Sequence, residues 1–302
     1  MKAKIAKFFK KLWRWLTAPF RLLIWVIKLP FQSVRKLNAF LNETPEAASV
    51  LDTTAGILSD DEIRASFFDE ISVLRKHVFR ILLGLLVTVS VSFFFAQALL
   101  GFLAAPVPGG IDALKAIEVT ESIGVFMRIA LLSGIALASP YIFFEIWLFV
   151  APALMPRSKK FGLIGIPLAT ILFLSGAAFA YFVMMPAALP FLLNFMGIQA
   201  ELRPASYFSF ITGVMFWLGV AFEFPLVIYV LTSMGFVKPQ TLKKQWRFAI
   251  VLISVMAAAI TPTVDPVNMA LVMLPMSLLY FISIGLSFIA YSAKEKTLPK
   301  NV

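Results

Sequence analysis

Six apolar runs separated by short charged turns constrain this chain more than any other feature. They lie near residues 78–102, 123–150, 161–185, 207–234, 248–261 and 268–291. About 20 consecutive apolar residues cross a bilayer as a helix. Inside hydrocarbon such a segment must bond its own backbone N–H and C=O groups, which a helix does. The predicted fold class is therefore all-α: a polytopic integral membrane protein with six transmembrane helices. Residue content agrees. The chain is 60% hydrophobic and only 14% charged, against about 25% charged for a typical soluble domain. It contains no Cys, which excludes disulfides, thiol catalysis and thiolate metal sites.

The charges give a direction. Cytoplasmic turns of membrane proteins collect Lys and Arg. The segment before the first run is basic. Arg157, Lys159 and Lys160 follow the second run, Lys238, Lys243, Lys244 and Arg247 the fourth, and Lys294, Lys296 and Lys300 the last. The other side carries Lys115 and Arg203, balanced by Asp112, Glu118, Glu201 and Asp265. Both termini are predicted to be cytoplasmic, in the cell membrane. Topology and lipid attraction account for the net charge of +11, and no nucleic-acid partner is needed.

Four segments follow. Residues 1–42 hold ten basic residues, from Lys2 to Lys36, and no acid. Ile5, Phe8, Phe9, Leu12, Trp15 and Leu16 recur between those charges at helical spacing. That pattern predicts a basic amphipathic segment on an anionic lipid surface, divided by Pro19 and Pro30. A signal peptide is the competing reading. Against it, the apolar run LLIWVI is six residues long, Lys28 closes it, and no small-x-small site follows. Residues 43–64 are an acidic and polar linker, 65–293 the membrane domain, and 294–302 a basic tail. The fifth run has about fourteen apolar residues between Arg247 and Pro262. They span roughly 21 Å of a hydrocarbon layer about 30 Å thick. Pro167, Pro225 and Pro275 are expected to bend their helices and leave room for a concave wall. No internal repeat is evident.

Catalytic signals are lacking. The lone His77, beside Arg75 and Lys76, reads as an interfacial polar residue. No His/Asp/Glu cluster has metal-ligand spacing, and no Walker or dinucleotide-binding glycine pattern appears. The chain is expected to be no enzyme and to need no cofactor.

A few polar residues fall within the apolar runs. In GVAFEFPLVI, Glu223 precedes Pro225. A charge at bilayer depth costs about 2.5 kcal/mol or more, so it turns inward, pairs, protonates or stays wet. Phe216, Gly219 and Val227 share its helical face by spacing. Gly219 would let another helix approach closely, and Pro225 frees the Ala221 carbonyl. Either a partner helix satisfies these groups or the chain's own bundle does. Glu145, about six residues or roughly 9 Å inside the second run, either lines the concave face or reaches to the interface. Arg128 pairs with Glu121 or another acid, or reaches the outer surface. Asp265, between Pro262 and Pro266, is expected to cap the last helix.

Several stretches, taken in order, resemble the TatC family, the polytopic subunit of the twin-arginine (Sec-independent) protein translocase. ASPYIFFEIWLFVAPAL at 138–154 is similar to a helix ending in W-x-F-x-x-P-x-L. SGAAFAYFVMMP at 175–186 resembles G-x-x-F-x-Y-x-x-x-x-P. GVAFEFPLVI at 219–228 resembles G-x-x-F-E-x-P, and ITPTVDPVN at 260–268 resembles T-P-x-x-D-P. Ala105-Pro106 also fits. The resemblance covers about 67–293 and implies six spans in a glove-shaped bundle with both ends inside. It implies that Glu223, with Gly219, Phe216 and Pro225, binds the single-span partners TatA or TatB. It implies binding of signal peptides that carry two adjacent arginines, and assembly into homo- or hetero-oligomers. Energy from the proton-motive force is part of the same analogy.

Two positions depart from the family. Planar carboxylates suit paired guanidinium groups. The family places one in H-L-x-E-L-R, where this chain has Val73 within Glu70-Ile71-Ser72-Val73-Leu74-Arg75. The other belongs to K-H-E-[RK]-[RK], where this chain has Ser158 among Arg157, Lys159 and Lys160. Glu70, on the helical face of Val73, and Asp69 are candidates to replace the first acid. The expected recognition region comprises Asp69, Glu70, Leu74, Arg75, Phe149 and Ser158. Two further readings stay open: a TatC-like scaffold that binds no cargo, and a small-solute or ion transporter. The transporter would need polar residues converging from several spans.

Overall fold

A computed structural model describes residues 41–42, 61–154, 156–193, 202–261 and 266–295, the side chains of 61–70, 153, 156–158, 161, 192 and 293–295 excepted. Residues 1–40, most of the linker, Asp265 and the end of the tail lie outside the described residues. So do the side chains of Asp69, Glu70 and Ser158.

Every regular element among the described residues is helical. Helix α1 (Asp61–Phe93) precedes a short α2 (Ala96–Ala104); α3 (Glu121–Val150) and α4 (Pro156–Phe179) follow. A π turn (Ala180–Met184) joins α4 to α5 (Met185–Leu193). Then come α6 (Pro204–Phe222), α7 (Phe224–Met234), α8 (Pro239–Lys244), α9 (Trp246–Ile260) and α10 (Pro266–Glu295). Among the described residues, five stretches are long and apolar enough to cross a membrane: Ile71–Phe93, Glu121–Val150, Gly162–Phe191, Pro204–Met234 and Pro266–Ser292. Trp246–Ile260 is a shorter apolar helix, about 22 Å long at 1.5 Å per residue. The six expected spans are thus five long helices and one short one.

The first span differs most from expectation. It starts earlier than residue 78 and ends at Phe93 rather than 102. Helix α1 also begins at Asp61, inside the expected linker. Its apolar run continues into α2, which hid the break. Thr88, Ser90 and Ser92 each turn a hydroxyl back to the carbonyl of Leu85, Leu86 and Thr88 respectively, at 3.0, 2.8 and 2.9 Å. Such back-bonding bends a helix, and the chain turns at Phe94 and Phe95. Two phenols then cap the end of α2: Tyr181 donates to the Phe102 carbonyl and Tyr207 to the Leu103 carbonyl, both at 2.6 Å.

The prolines act unequally. Pro140, Pro167 and Pro275 lie within continuous helices. Pro186 follows the π turn, and Pro225 follows the break at Glu223. A missing N–H can be absorbed by neighbouring helices and local widening of the turn.

Helix α6 runs through the main core. Tyr207, Phe208, Ile211, Val214 and Leu218 pack with Ile129 of α3, Met184 of the π turn and Val272 of α10. Helix α1 packs on α3, α3 on α4 and α6, and α7 on α10. Much of α1 is left facing outward, with Phe79, Leu82, Leu86 and Val87 exposed. In a bilayer these side chains meet lipid. At the end of α3, Leu41 joins Phe144, Trp147 and Ala151 in a second cluster, so the last but one residue of the basic segment is packed on the bundle.

Candidate functional site

The break between α6 and α7 places Glu223. Pro225 has no N–H to continue the helix and its ring crowds the carbonyl four residues back. Glu223 instead bonds its N–H to the Val220 carbonyl (3.1 Å), and its own carbonyl accepts from Leu226 and Val227 (3.0 Å each). The side chain is 8% exposed and lies beside the backbone of Phe173 on α4. One carboxyl oxygen, Oε1, is buried and has no hydrogen-bond partner among the described residues. Trp217, Val220, Phe224 and Val227 are exposed along the same two helices. An under-satisfied carboxyl group therefore borders an apolar strip. Pro225 is buried and Phe216 half-buried, its ring against Trp217.

Gly219 has a different use from the one expected. A Cβ added there would come 2.7 Å from the Phe173 ring, and one added at Gly176 would come 2.5 Å from the Leu218 carbonyl oxygen. The close helix approach that glycine permits is taken by α4 of the same chain, not left open to a partner.

The second polar centre joins α1 and α3. Glu145 is 3% exposed. His77 Nδ1 lies 2.6 Å from its Oε2, the Tyr141 hydroxyl donates to its Oε1 at 2.9 Å, and Arg80 Nη1 stands 3.8 Å from Oε2. Glu145 therefore does not line an open face; its two oxygens are held by partners within the bundle. The His77 ring also meets Phe149 edge-on, centroids 6.1 Å apart. The sequence alone does not join His77 to Glu145, which are 68 positions apart. The available signal was that both sit near the same predicted membrane surface. Of the expected recognition region, the structure joins Phe149 to the α1 end that carries Leu74 and Arg75, both exposed. Val73 is also exposed. Glu70 and Asp69 lie on α1 and Ser158 in the first turn of α4.

The opposite end of the bundle holds a third set. Arg203 Nε donates to Glu121 Oε1 at 3.1 Å, a second guanidinium nitrogen bonds the same oxygen, and Glu118 lies 3.3 Å away. Hydrogen bonding to Glu121 holds the Arg203 guanidinium above its ordinary pKa. Glu121 is therefore not the partner of Arg128, which donates to the Ser209 hydroxyl. Seven residues separate Glu121 and Arg128 along α3, a rise of about 10 Å, whereas Arg203 at the head of α6 sits level with Glu121. Among the described residues no His, Asp or Glu cluster could hold a metal ion.

Residues 69–275 match the family described as Sec-independent protein translocase protein (TatC). A Sec-independent protein translocase protein TatC from Carboxydothermus hydrogenoformans is 34% identical over 233 residues, 76% of this chain and 95% of that one. TatCy of Bacillus subtilis is 31% identical over 235 residues, 77% of this chain and 92% of its own length. A crystal structure of twin arginine translocase receptor TatC superposes with a TM-score of 0.65 at 32% identity, covering 73% of this chain and 99% of that one. Order of motifs, helical architecture and relatives agree: this chain belongs to the TatC family and is a membrane subunit of a Sec-independent protein translocase, not an enzyme.

Proposed function

We propose that the chain binds signal-bearing folded proteins on the cytoplasmic side of the cell membrane and recruits a single-span partner helix of the TatA or TatB type at Glu223. Glu223 carries the reading. A buried carboxyl oxygen without a partner is costly in hydrocarbon, and a polar residue on an incoming helix would satisfy it once the side chain turns toward the exposed strip. Trp217, Val220, Phe224 and Val227 offer that helix an apolar bed. Both termini face the cytoplasm in this reading, as the Lys and Arg distribution directs. A relative is named a twin arginine translocase receptor, which supports the same role here.

Signal recognition is altered in this proposal. Val73 and Ser158 stand where the family resemblance calls for carboxylates. Glu145 cannot simply replace them, since His77 and Tyr141 already hold its oxygens. Those two losses also support a second reading, a TatC-like scaffold that binds no cargo.

Export in cells lacking their own TatC separates the readings. The chain is supplied with its single-span partners and a folded reporter bearing a twin-arginine signal. Transport by the native chain, abolished by Glu223→Ala, supports a working receptor. Transport only after Val73→Glu and Ser158→Glu supports altered recognition on an intact scaffold. No transport by either form contradicts the receptor reading.

A further inference from the structure

We infer that the elbow between α8 and α9 is a binding site for an anionic glycerophospholipid, the phosphate in a basic pocket and an acyl chain along α9. The pocket has a volume of about 590 Å³ and is lined by Gln240, Thr241, Lys244, Gln245, Arg247 and Phe248. That volume lies within the roughly 300–1,000 Å³ usual for small-molecule sites. Its lining offers two cations and three neutral side chains able to donate hydrogen bonds, and no acid.

The charge is uncompensated. From Phe224 to Val264 the sequence has no Asp or Glu, while Lys238, Lys243, Lys244 and Arg247 fall within ten residues. Among the described residues none of these four is in an ion pair. Arg247 lies over the Trp246 ring, 5.6 Å from its centroid, so one cation is held beside an exposed interfacial indole. The elbow itself is fixed from below: the buried Tyr280 of α10 donates its hydroxyl to the Leu242 carbonyl at 2.7 Å.

The apolar half of the ligand has a place as well. Phe248, on the pocket wall, is 69% exposed and begins a stripe with Val251, Leu252 and Val255, all exposed. These positions follow at i, i+3, i+4 and i+7, one face of α9. Phosphate-binding charge therefore passes directly into an apolar stripe about 10 Å long, along which the first half of an acyl chain can lie. One phospholipid meets both demands in one molecule, and anionic headgroups are drawn to such basic juxtamembrane clusters. The site's placement also suits the short helix: α9 covers about 22 Å, and a headgroup held at its start draws the bilayer surface down to the level of the elbow.

The test uses the full chain in zwitterionic micelles, mixed with phosphatidylglycerol carrying a photo-crosslinker in its acyl chain. Phosphatidylcholine with the same chains is the comparator, and labelled peptides are mapped by mass spectrometry. Label is expected on residues 248–255, well above that from phosphatidylcholine. Each basic residue near an anionic surface contributes about fivefold, so Lys244→Gln with Arg247→Gln weakens the apparent affinity about 25-fold. The charge-keeping pair Lys244→Arg and Arg247→Lys retains it. Free glycerol phosphate at the lipid's own concentration leaves the label in place. Labelling indifferent to headgroup charge or to the two Gln substitutions overturns the proposal. Full competition by glycerol phosphate overturns it too, since the site would then take a free phosphate anion and no chain.

Discussion

Gly176→Ala tests the helix crossing that carries Glu223. A Cβ at residue 176 would meet the Leu218 oxygen at 2.5 Å and the Leu218 carbon and Gly219 Cα at 2.9 Å, all backbone atoms of α6. None can swing aside, so α4 and α6 must part by several tenths of an ångström. Overpacking of this kind costs about 1–3 kcal/mol. Ala recovers up to about 1 kcal/mol of helix propensity over Gly, leaving a net loss of up to about 2 kcal/mol. Gly219→Ala makes the useful contrast. Its Cβ would meet only the Phe173 ring, at 2.7 Å, and a ring edge can tilt, so that variant is expected within about 1 kcal/mol of the parent. At 2–4 °C per kcal/mol for a domain of this size, Gly176→Ala melts up to roughly 8 °C lower in mild detergent and Gly219→Ala stays within about 4 °C of the parent. Separation of the helices also moves the Phe173 backbone off Glu223, so Gly176→Ala lowers transport more than Gly219→Ala does. A Gly176→Ala protein that melts at or above Gly219→Ala refutes the reasoning.

Three further predictions concern the polar centres. Tyr207→Phe removes the donor to the buried end of α2 and is expected to cost about 1–3 kcal/mol, read as a lower melting temperature. His77→Ala leaves Glu145 buried with Tyr141 and a distant Arg80, a loss of about 1.5–3 kcal/mol; Glu145→Gln, with the charge gone, is expected to rescue most of it in the double variant, as a double-mutant cycle would report. Ser158→Glu combined with Val73→Glu is expected to raise affinity for a twin-arginine peptide at least tenfold over a twin-lysine one, measured by peptide titration.

Different physical signals made parts of this molecule legible. Apolar length alone located the spans, because hydrocarbon leaves a helix as the only way to satisfy the backbone. It misplaced the first, because Thr88, Ser90 and Ser92 bend the chain from within an apolar run and leave no polar gap. Proline marked the break at Glu223 but not the continuity through Pro140, Pro167 and Pro275, which depends on neighbours. Glu223 stood out as a lone acid in an apolar stretch. The His77–Glu145 pair did not, because tertiary packing alone joins α1 to α3. Gly219 reads as a place of close approach, but a sequence does not say which helix approaches. In the sequence Arg203 is only one of several balanced charges; its level with Glu121 comes from how α6 is set against α3.

Site-specific photo-crosslinking at Val227 tests the central claim most directly. The probe is placed on the exposed strip beside Glu223, in membranes that also contain the single-span partners. The account predicts a crosslink to a partner helix that is lost in Glu223→Ala and kept in Gly219→Ala. A crosslink that persists unchanged without the Glu223 carboxyl would contradict it.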